Sequence, residues 1–263
     1  MSDPRTTPAA QTQETPARII VPVTDLVRTP DGPRDRQLLM GDPVTILHEV
    51  GQHRLIRADK DNYHGYVEAA HLGPPQTPTY HVTARSTHAY SAPDIKSAEQ
   101  MVLSFGSRMA AKGEHASFIE TEYGFIPRQH LHPMDAHATD PAAVAKVFLG
   151  TPYLWGGNSG FGIDCSGLVQ AAFHACFVAC PGDSDQQEQS LGTQLSPRTP
   201  FQRNDLLFWP GHVALVTDPE TLIHANAGHM TVSLEPIADA IARIQQYNGS
   251  SPTSHKRPVL PQP

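Results

Sequence analysis

The sequence predicts an α+β protein, two small all-β barrels followed by a domain in which helices pack on an antiparallel sheet. Three observations carry that expectation. From Ile19 to about Pro75, short apolar runs alternate with turn residues; a second stretch repeats the pattern of the first 59 residues later; and beyond residue 138 an apolar helix is followed by several short strands.

Residues 1–17 are rich in Thr, Pro, Gln and Ala and read as a disordered tail. The first barrel is expected over 18–76, where Val44-Thr45-Ile46-Leu47, Arg54-Leu55-Ile56 and Gly65-Tyr66-Val67 have strand character. The second is expected over 77–134, because Gly65-Tyr66-Val67-Glu68-Ala69-Ala70-His71-Leu72-Gly73-Pro74 is echoed by Gly124-Phe125-Ile126-Pro127-Arg128-Gln129-His130-Leu131-His132-Pro133. Upstream, Gly41 with Val44 parallels Gly106 with Met109. The pattern resembles the end of bacterial Src-homology-3-like domains, which carry no chemistry of their own, so the recurring His71 and His130 read as structural. The last domain is expected over 138–263. Asp140-Pro141 opens a helix from Ala142 to Phe148, with Asp at the cap and Pro in the first turn. A glycine loop from Gly156 to Gly162 leads into a helix beginning near Cys165, apolar on nearly every side and therefore a core element. Strands follow at Leu206–Trp209, His212–Thr217, Leu222–Ala225 and Met230–Leu234, and an amphipathic segment from Pro236 to Tyr247 closes the domain.

Composition narrows the function. The chain has 263 residues, 39% of them hydrophobic, and a net charge of -7 with no Lys/Arg cluster, so a nucleic-acid or anionic-membrane partner is not expected. No apolar run approaches the roughly 18 residues of a membrane span, and the polar, proline-rich start is no signal peptide, so the expected location is cytoplasmic. With 3 cysteines, two of them on or just after the apolar helix, there is no disulfide framework.

The chemistry centres on Asp164-Cys165-Ser166-Gly167-Leu168-Val169. A free thiol titrates near about 8.5, but at a helix N-terminus beside an imidazolium it can fall to roughly 3.5–7.5. Polar and small neighbours set Cys165 apart from a packed structural cysteine, a role that suits Cys176 and Cys180, and its own amide is placed to donate to an oxyanion. His212, first residue of an apolar strand after Pro210-Gly211, is the candidate base. His224, 12 residues on and on a neighbouring strand, is the candidate orienting group; Asn226, on the same strand face, is the alternative. A zinc site from Cys and two His lacks a CxxC pair, a His pair at i, i+4 and a fourth ligand, and no metal or other cofactor is expected.

These motifs (Cys165 in Asp-Cys-Ser-Gly-Leu-Val, His212 in Gly-His-Val-Ala-Leu-Val, His224 in Ile-His-Ala-Asn) resemble the NlpC-type cell-wall peptidase family over about residues 140–247. The resemblance implies a papain-like fold, a Cys-His-His triad and, with the barrels in front, the activity of a γ-D-glutamyl-L-diamino acid endopeptidase. Such enzymes cut murein peptides between D-glutamate and diaminopimelate or lysine and prefer a free N-terminal L-alanine, which implies murein-peptide recycling. It further implies that Asp164, Ser166, Asp183 and Ser184 hold the alanine amine, that Tyr153 lines the pocket and that Tyr63 closes it. Asp164 reads equally as a helix N-cap and Asp183 as a loop Asx-turn. A non-catalytic murein-binding module, or an acyl- or amidotransferase on the same fold, are the competing readings.

Overall fold

The computed structural model describes residues 3–261. They divide into two units: one holds residues up to Ala136 with Asn158–Phe161, the other His137–Gly157 and the chain from Gly162 onward.

The first unit contains two successive strand systems. β1 (Thr15–Ile19), β2 (Val23–Val27), β3 (Arg34–Leu39), β4 (Pro43–Val50), β5 (His53–Ala58), β6 (His64–Glu68) and β7 (Leu72–Gly73) form one sheet in the order β3-β2-β6-β5-β4-β1-β7. Alternating side chains turn Ile19, Leu26, Leu38, Val44, Ile56 and Val67 inward into its core. β8 (Tyr80–Val82), β9 (Ser86–Tyr90), β10 (Glu99–Ser104), β11 (Arg108–Met109), β12 (Gly113–His115), β13 (Phe118–Thr121), β14 (Gly124–Pro127) and β15 (Leu131–Pro133) form the second system. Its sheets run β10-β9-β14-β13-β12 and β11-β8-β15.

The sequence repeat has a structural counterpart. A one-turn 3-10 helix joins β6 to β7 at Ala69–His71, and another joins β14 to β15 at Arg128–His130. In the first, Thr24 Oγ1 meets His71 Nδ1 at 2.8 Å; in the second, Thr87 Oγ1 meets His130 Nδ1 at 2.7 Å. Gly41 and Gly106 hold φ of 81° and 84°, and their amides donate to Ile19 and Val82 at equivalent places. Gly41 is the more constrained, because a Cβ there would lie 2.2 Å from the Arg108 carbonyl oxygen.

Within the tail expected at 1–17 some residues are tied to the rest of the chain; residues 1 and 2 lie outside the described residues. Arg5 pairs with Asp3 at 2.8 Å, the amides of Thr12 and Gln13 donate to the Leu47 carbonyl, and Thr15 already pairs with Ile46 in the sheet. Composition hid this because the segment is held largely by backbone groups, which an exposed strand offers to any extended chain.

In the second unit α1 (Pro141–Val147) and α2 (Cys165–His174) pack on the central strands of a six-stranded antiparallel sheet. β16 (Asn158–Ser159) belongs to the first unit, and in the second β17 (Gly162–Ile163) stands just before α2. The large sheet comprises β18 (Thr193–Gln194), β19 (Leu206–Trp209), β20 (His212–Asp218), β21 (Thr221–Asn226), β22 (Thr231–Pro236) and β23 (Ser254–Arg257) in the order β18-β23-β19-β20-β21-β22. α3 (Ser184–Ser190) follows α2, and α4 (Ile237–Asn248) buries Ile237, Ala240 and Ile244 against Leu207, Trp209, Ala214, Val216 and Leu222. Asp140 stands at the α1 cap position as expected, yet its carboxylate makes no capping bond; it is held by Arg203 at 2.7 Å. No helix among the described residues is long and apolar enough to cross a membrane.

Candidate active site

The glycine loop delivers Cys165 to the first position of α2. Gly157 must be glycine, since a Cβ would stand 2.5 Å from the Gly162 carbonyl oxygen across the loop. Asp164 caps the helix: Oδ1 accepts from the Gly167 amide at 2.6 Å and from Ser166 Oγ at 3.1 Å, and Oδ2 accepts from the Gly156 amide at 2.9 Å. One carboxylate thus ties the loop to the helix start. Behind it Leu168, Val169, Ala172 and Phe173 are fully buried, so packing fixes where the thiol lies.

The Cys165 sulfur rests against the backbone on both sides of His212. The Gly211 carbonyl oxygen is 4.0 Å from Sγ, and the Val213 amide acts on the thiol from the other side. Burial, reinforced by the Asp164 carboxylate, pushes the thiol up to about 12, against the opposing pull of the Val213, Ser166 and Cys165 amides. The thiolate expected at the helix N-terminus is therefore not the resting form. Desolvation of a thiol only 7% exposed outweighs the helix-end amides.

His212 and His224 share a sheet face and bond ring to ring, Nε2 of the first to Nδ1 of the second at 3.0 Å. Burial, with His224 and Arg243 as neighbours, pushes His212 down to about 3, although Glu235 acts the other way. At rest the pair is a neutral thiol and a neutral imidazole. His224 Nε2 meets Glu235 Oε2 at 2.9 Å, and burial also holds His224 below the usual imidazole range despite that carboxylate. Arg243 Nε donates to Glu235 Oε1 at 2.9 Å and its terminal nitrogen to Oε2 at 2.7 Å. Burial works to raise Glu235, but the bonds from Arg243 and His224 overcome it and bring the carboxyl down to about 2.

Asn226, the alternative orienting residue, is engaged elsewhere. Its Oδ1 accepts from the His229 amide at 2.8 Å and its Nδ2 lies 3.1 Å from Ser233 Oγ, so it closes the β21–β22 turn. Glu235 and Arg243 were missed from sequence. A charged pair at i, i+8 across a strand–helix junction has no motif, and only the pairing of His224 with Ser233 in β21–β22 brings β22 beside the imidazole.

The remaining expected contacts divide. Tyr153 is half-buried, and burial, with the charges of Cys165 and Asp164 acting the same way, holds its phenol above the usual range. Ser166 is buried and donates to Asp164. Asp183 sits at the α3 cap position without capping it, and Ser184 begins that helix. Three residues on, buried Gln187 donates from Nε2 to the carbonyls of Ser166 and Pro181, both at 2.9 Å, tying α3 to the first turn of α2. Tyr63 belongs to the first unit, in the core of its first sheet, with the Arg36 guanidinium 5.2 Å over its ring. His224, His229 and Glu235 offer ligand atoms within 4.8 Å of one another. With Arg243 on both Glu235 oxygens, that set suits a proton relay better than a cation.

Parts of the chain are similar to known proteins. Residues 150–249 match the NlpC/P60 family and residues 26–72 match the bacterial dipeptidyl-peptidase Sh3 domain. The chain is 34% identical over 124 residues to dipeptidyl-peptidase 6 of Lysinibacillus sphaericus, covering 44% of this chain and 45% of that protein. It is 30% identical over 146 residues to a gamma-D-glutamyl-L-lysine dipeptidyl-peptidase of Bacillus cereus, covering 52% and 43% respectively. The matches thus span less than half the length of these curated relatives. A crystal structure of an NlpC/P60 family protein from Bacillus cereus shares the fold, with a TM-score of 0.77 over 94% of this chain and 100% of that one at 20% identity.

Proposed function

We propose, from a chain whose residues 150–249 match the NlpC/P60 family and whose residues 26–72 match the bacterial dipeptidyl-peptidase Sh3 domain, that it is a cysteine endopeptidase acting on murein peptides. The bond cut is that between the side-chain carboxyl of D-glutamate and a diamino acid, in peptides with a free N-terminal L-alanine. The observation that carries the reading is the line of groups from Cys165 at the head of α2, past the Gly211–Val213 backbone, to the bonded pair His212 and His224. The names of the two curated relatives support the substrate class.

Because thiol and imidazole are both neutral at rest, attack is coupled to proton transfer: sulfur bonds to the γ-carbonyl carbon as its proton passes to His212. The resulting imidazolium donates that proton to the departing amine, leaving a thioester. Water, deprotonated by the now neutral His212, hydrolyses it. His224 bears on the ring throughout, and the Cys165 amide helps hold the oxyanion. Asp164, Ser166, Asp183 and Ser184 are the groups proposed for the alanine amine, with Tyr153 along the same wall. A carboxylate there rewards an ammonium and rejects an acylated nitrogen. The role proposed for that activity is the recycling of murein peptides.

The test is to incubate the full chain with L-Ala-γ-D-Glu-diaminopimelate and identify products by mass spectrometry. The expected products are L-Ala-D-Glu and free diaminopimelate, with the N-acetylated peptide cut at least about 100-fold more slowly. Cys165→Ala is expected to lower turnover by at least about 1,000-fold. Undiminished turnover by that variant would sink the proposal, and equal cleavage of the acetylated peptide would sink the amine pocket.

A further inference from the structure

Two neutral imidazoles in a hydrogen-bonded row can carry their protons in either of two directions, and only one leaves His212 able to accept a proton from sulfur. Each neutral ring has one N–H and one bare nitrogen. The far end of the row is Glu235, whose oxygens both accept from the Arg243 fork and which therefore stands as an acceptor-only carboxylate. His224 Nε2, 2.9 Å from Glu235 Oε2, must then carry a hydrogen, leaving Nδ1 of that ring bare. His212 Nε2, 3.0 Å from that bare nitrogen, must in turn be the donor. The remaining nitrogen of His212, Nδ1, is left with a free lone pair. Reversing the row would set a bare His224 nitrogen against the carboxylate and place a hydrogen on His212 Nδ1.

From this geometry we infer that Glu235, clamped by Arg243, is a positioning residue that dictates the tautomer of both histidines and so makes Nδ1 of His212 the atom that takes the Cys165 proton. The inference rests on the reading of Cys165 and His212 as the reacting pair. It deepens that reading by naming the group that sets the direction of proton flow. Once His212 is protonated, its Nε2–H already points along the row toward a carboxylate, so the cation forms with its acceptor in place. The titratable and charged groups acting on the two rings are Glu235, Arg243 and His229, together with each other. The Trp209 ring packs 5.6 Å from His212 on the remaining side. In the turn before β22 a Cβ at Gly228 would lie 2.8 Å from an Arg243 terminal nitrogen.

The experiment is 15N-detected NMR of the histidine rings in the full-length wild type, Glu235→Gln and Glu235→Ala, beside kcat, KM and pH profiles on the tripeptide. In the wild type at neutral pH both His212 and His224 are expected as Nε2–H tautomers. Glu235→Gln keeps an acceptor oxygen and is expected to keep those tautomers, with kcat lowered by about 10-fold. Glu235→Ala is expected to mix the tautomers and lower kcat by about 100-fold, the lower end of a general acid–base contribution, with KM changed less than about twofold. A wild-type spectrum with hydrogen on His212 Nδ1, or an unaltered tautomer balance in Glu235→Ala, overturns the inference. Should Glu235→Ala not fold, the wild-type spectrum and the Gln variant still decide. The ring spectra need no turnover, so failure of the peptide assay would strike the proposed activity and leave this inference standing on its own readout.

Discussion

The second unit contains two buried carboxylates with the same company, and only one of them bears on the candidate chemistry. Asp205 accepts from His255 Nε2 at 2.8 Å and from both arms of the Arg257 fork at 2.7 Å. Glu235 accepts from His224 Nε2 at 2.9 Å and from the Arg243 fork at 2.9 and 2.7 Å. Donor types and distances barely differ. What differs is where the second ring nitrogen leads. His224 Nδ1 continues to His212, whereas the His255 ring packs against Phe201 at 4.9 Å and its cluster pins β23 to β19. A carboxylate–histidine–arginine knot is therefore a fastening in one place and the anchor of the proposed relay in the other, and its own geometry does not tell them apart.

The sharpest way to break this comparison is to remove one histidine from each end. His212→Ala is expected to lower kcat/KM on the tripeptide by about 1,000-fold or more, while His255→Ala changes it less than about twofold. Equal losses would dissolve the distinction. Next in size is Asp205→Ala, which strands a buried cation pair and is expected to lower unfolding free energy by about 3 kcal/mol in urea titrations while leaving the tautomers of His212 and His224 untouched.

A third contrast is in pH. Glu235 is held at about 2 and His212 at about 3, with His224 also below its ordinary value, so the unfolded chain binds more protons than the native one as pH falls below about 6.5. Stability is expected to decline through that acid range, and His212→Ala should flatten its upper part between about pH 6.5 and 3. On the alkaline side the unfolded Cys165 thiol ionises near 9.0 and the native one at about 12, so stability falls as pH rises through that window and Cys165→Ala should soften the fall. Denaturant midpoints across pH check both signs. The smallest effect is expected from His71→Ala and His130→Ala, about 1 kcal/mol each from one lost hydroxyl–imidazole bond, with no change in kcat.

Much of the fold is legible in the sequence where apolar alternation and turn residues coincide. The strands at Leu206–Trp209 and His212–Asp218, the helix from Cys165 and the 59-residue repeat all announce themselves this way. β23 did not, because Ser254-His255-Lys256-Arg257 has no apolar residue; its place comes from backbone pairing and from Asp205. α3 was hidden likewise, since Ser184–Ser190 is polar throughout; the buried amide of Gln187 ties it to α2, and Glu188 accepts from Ser254 at the start of β23. At the site, Cys165, His212 and His224 stood out because polar residues interrupt apolar runs there. Glu235 did not, since its meaning depends on a partner from the neighbouring strand and another from the following helix, and neither can be counted along the chain. The charge state of the thiol was beyond reach for a related reason: burial is a property of the packed whole.

That sealed, proton-bearing sulfur has a consequence for durability. Peroxides and haloacetamides react with thiolate, and a thiol pushed up to about 12 is expected to present them with almost none. On the proposed mechanism the cost of arming the nucleophile falls within each turnover, and the idle protein is expected to resist oxidative inactivation.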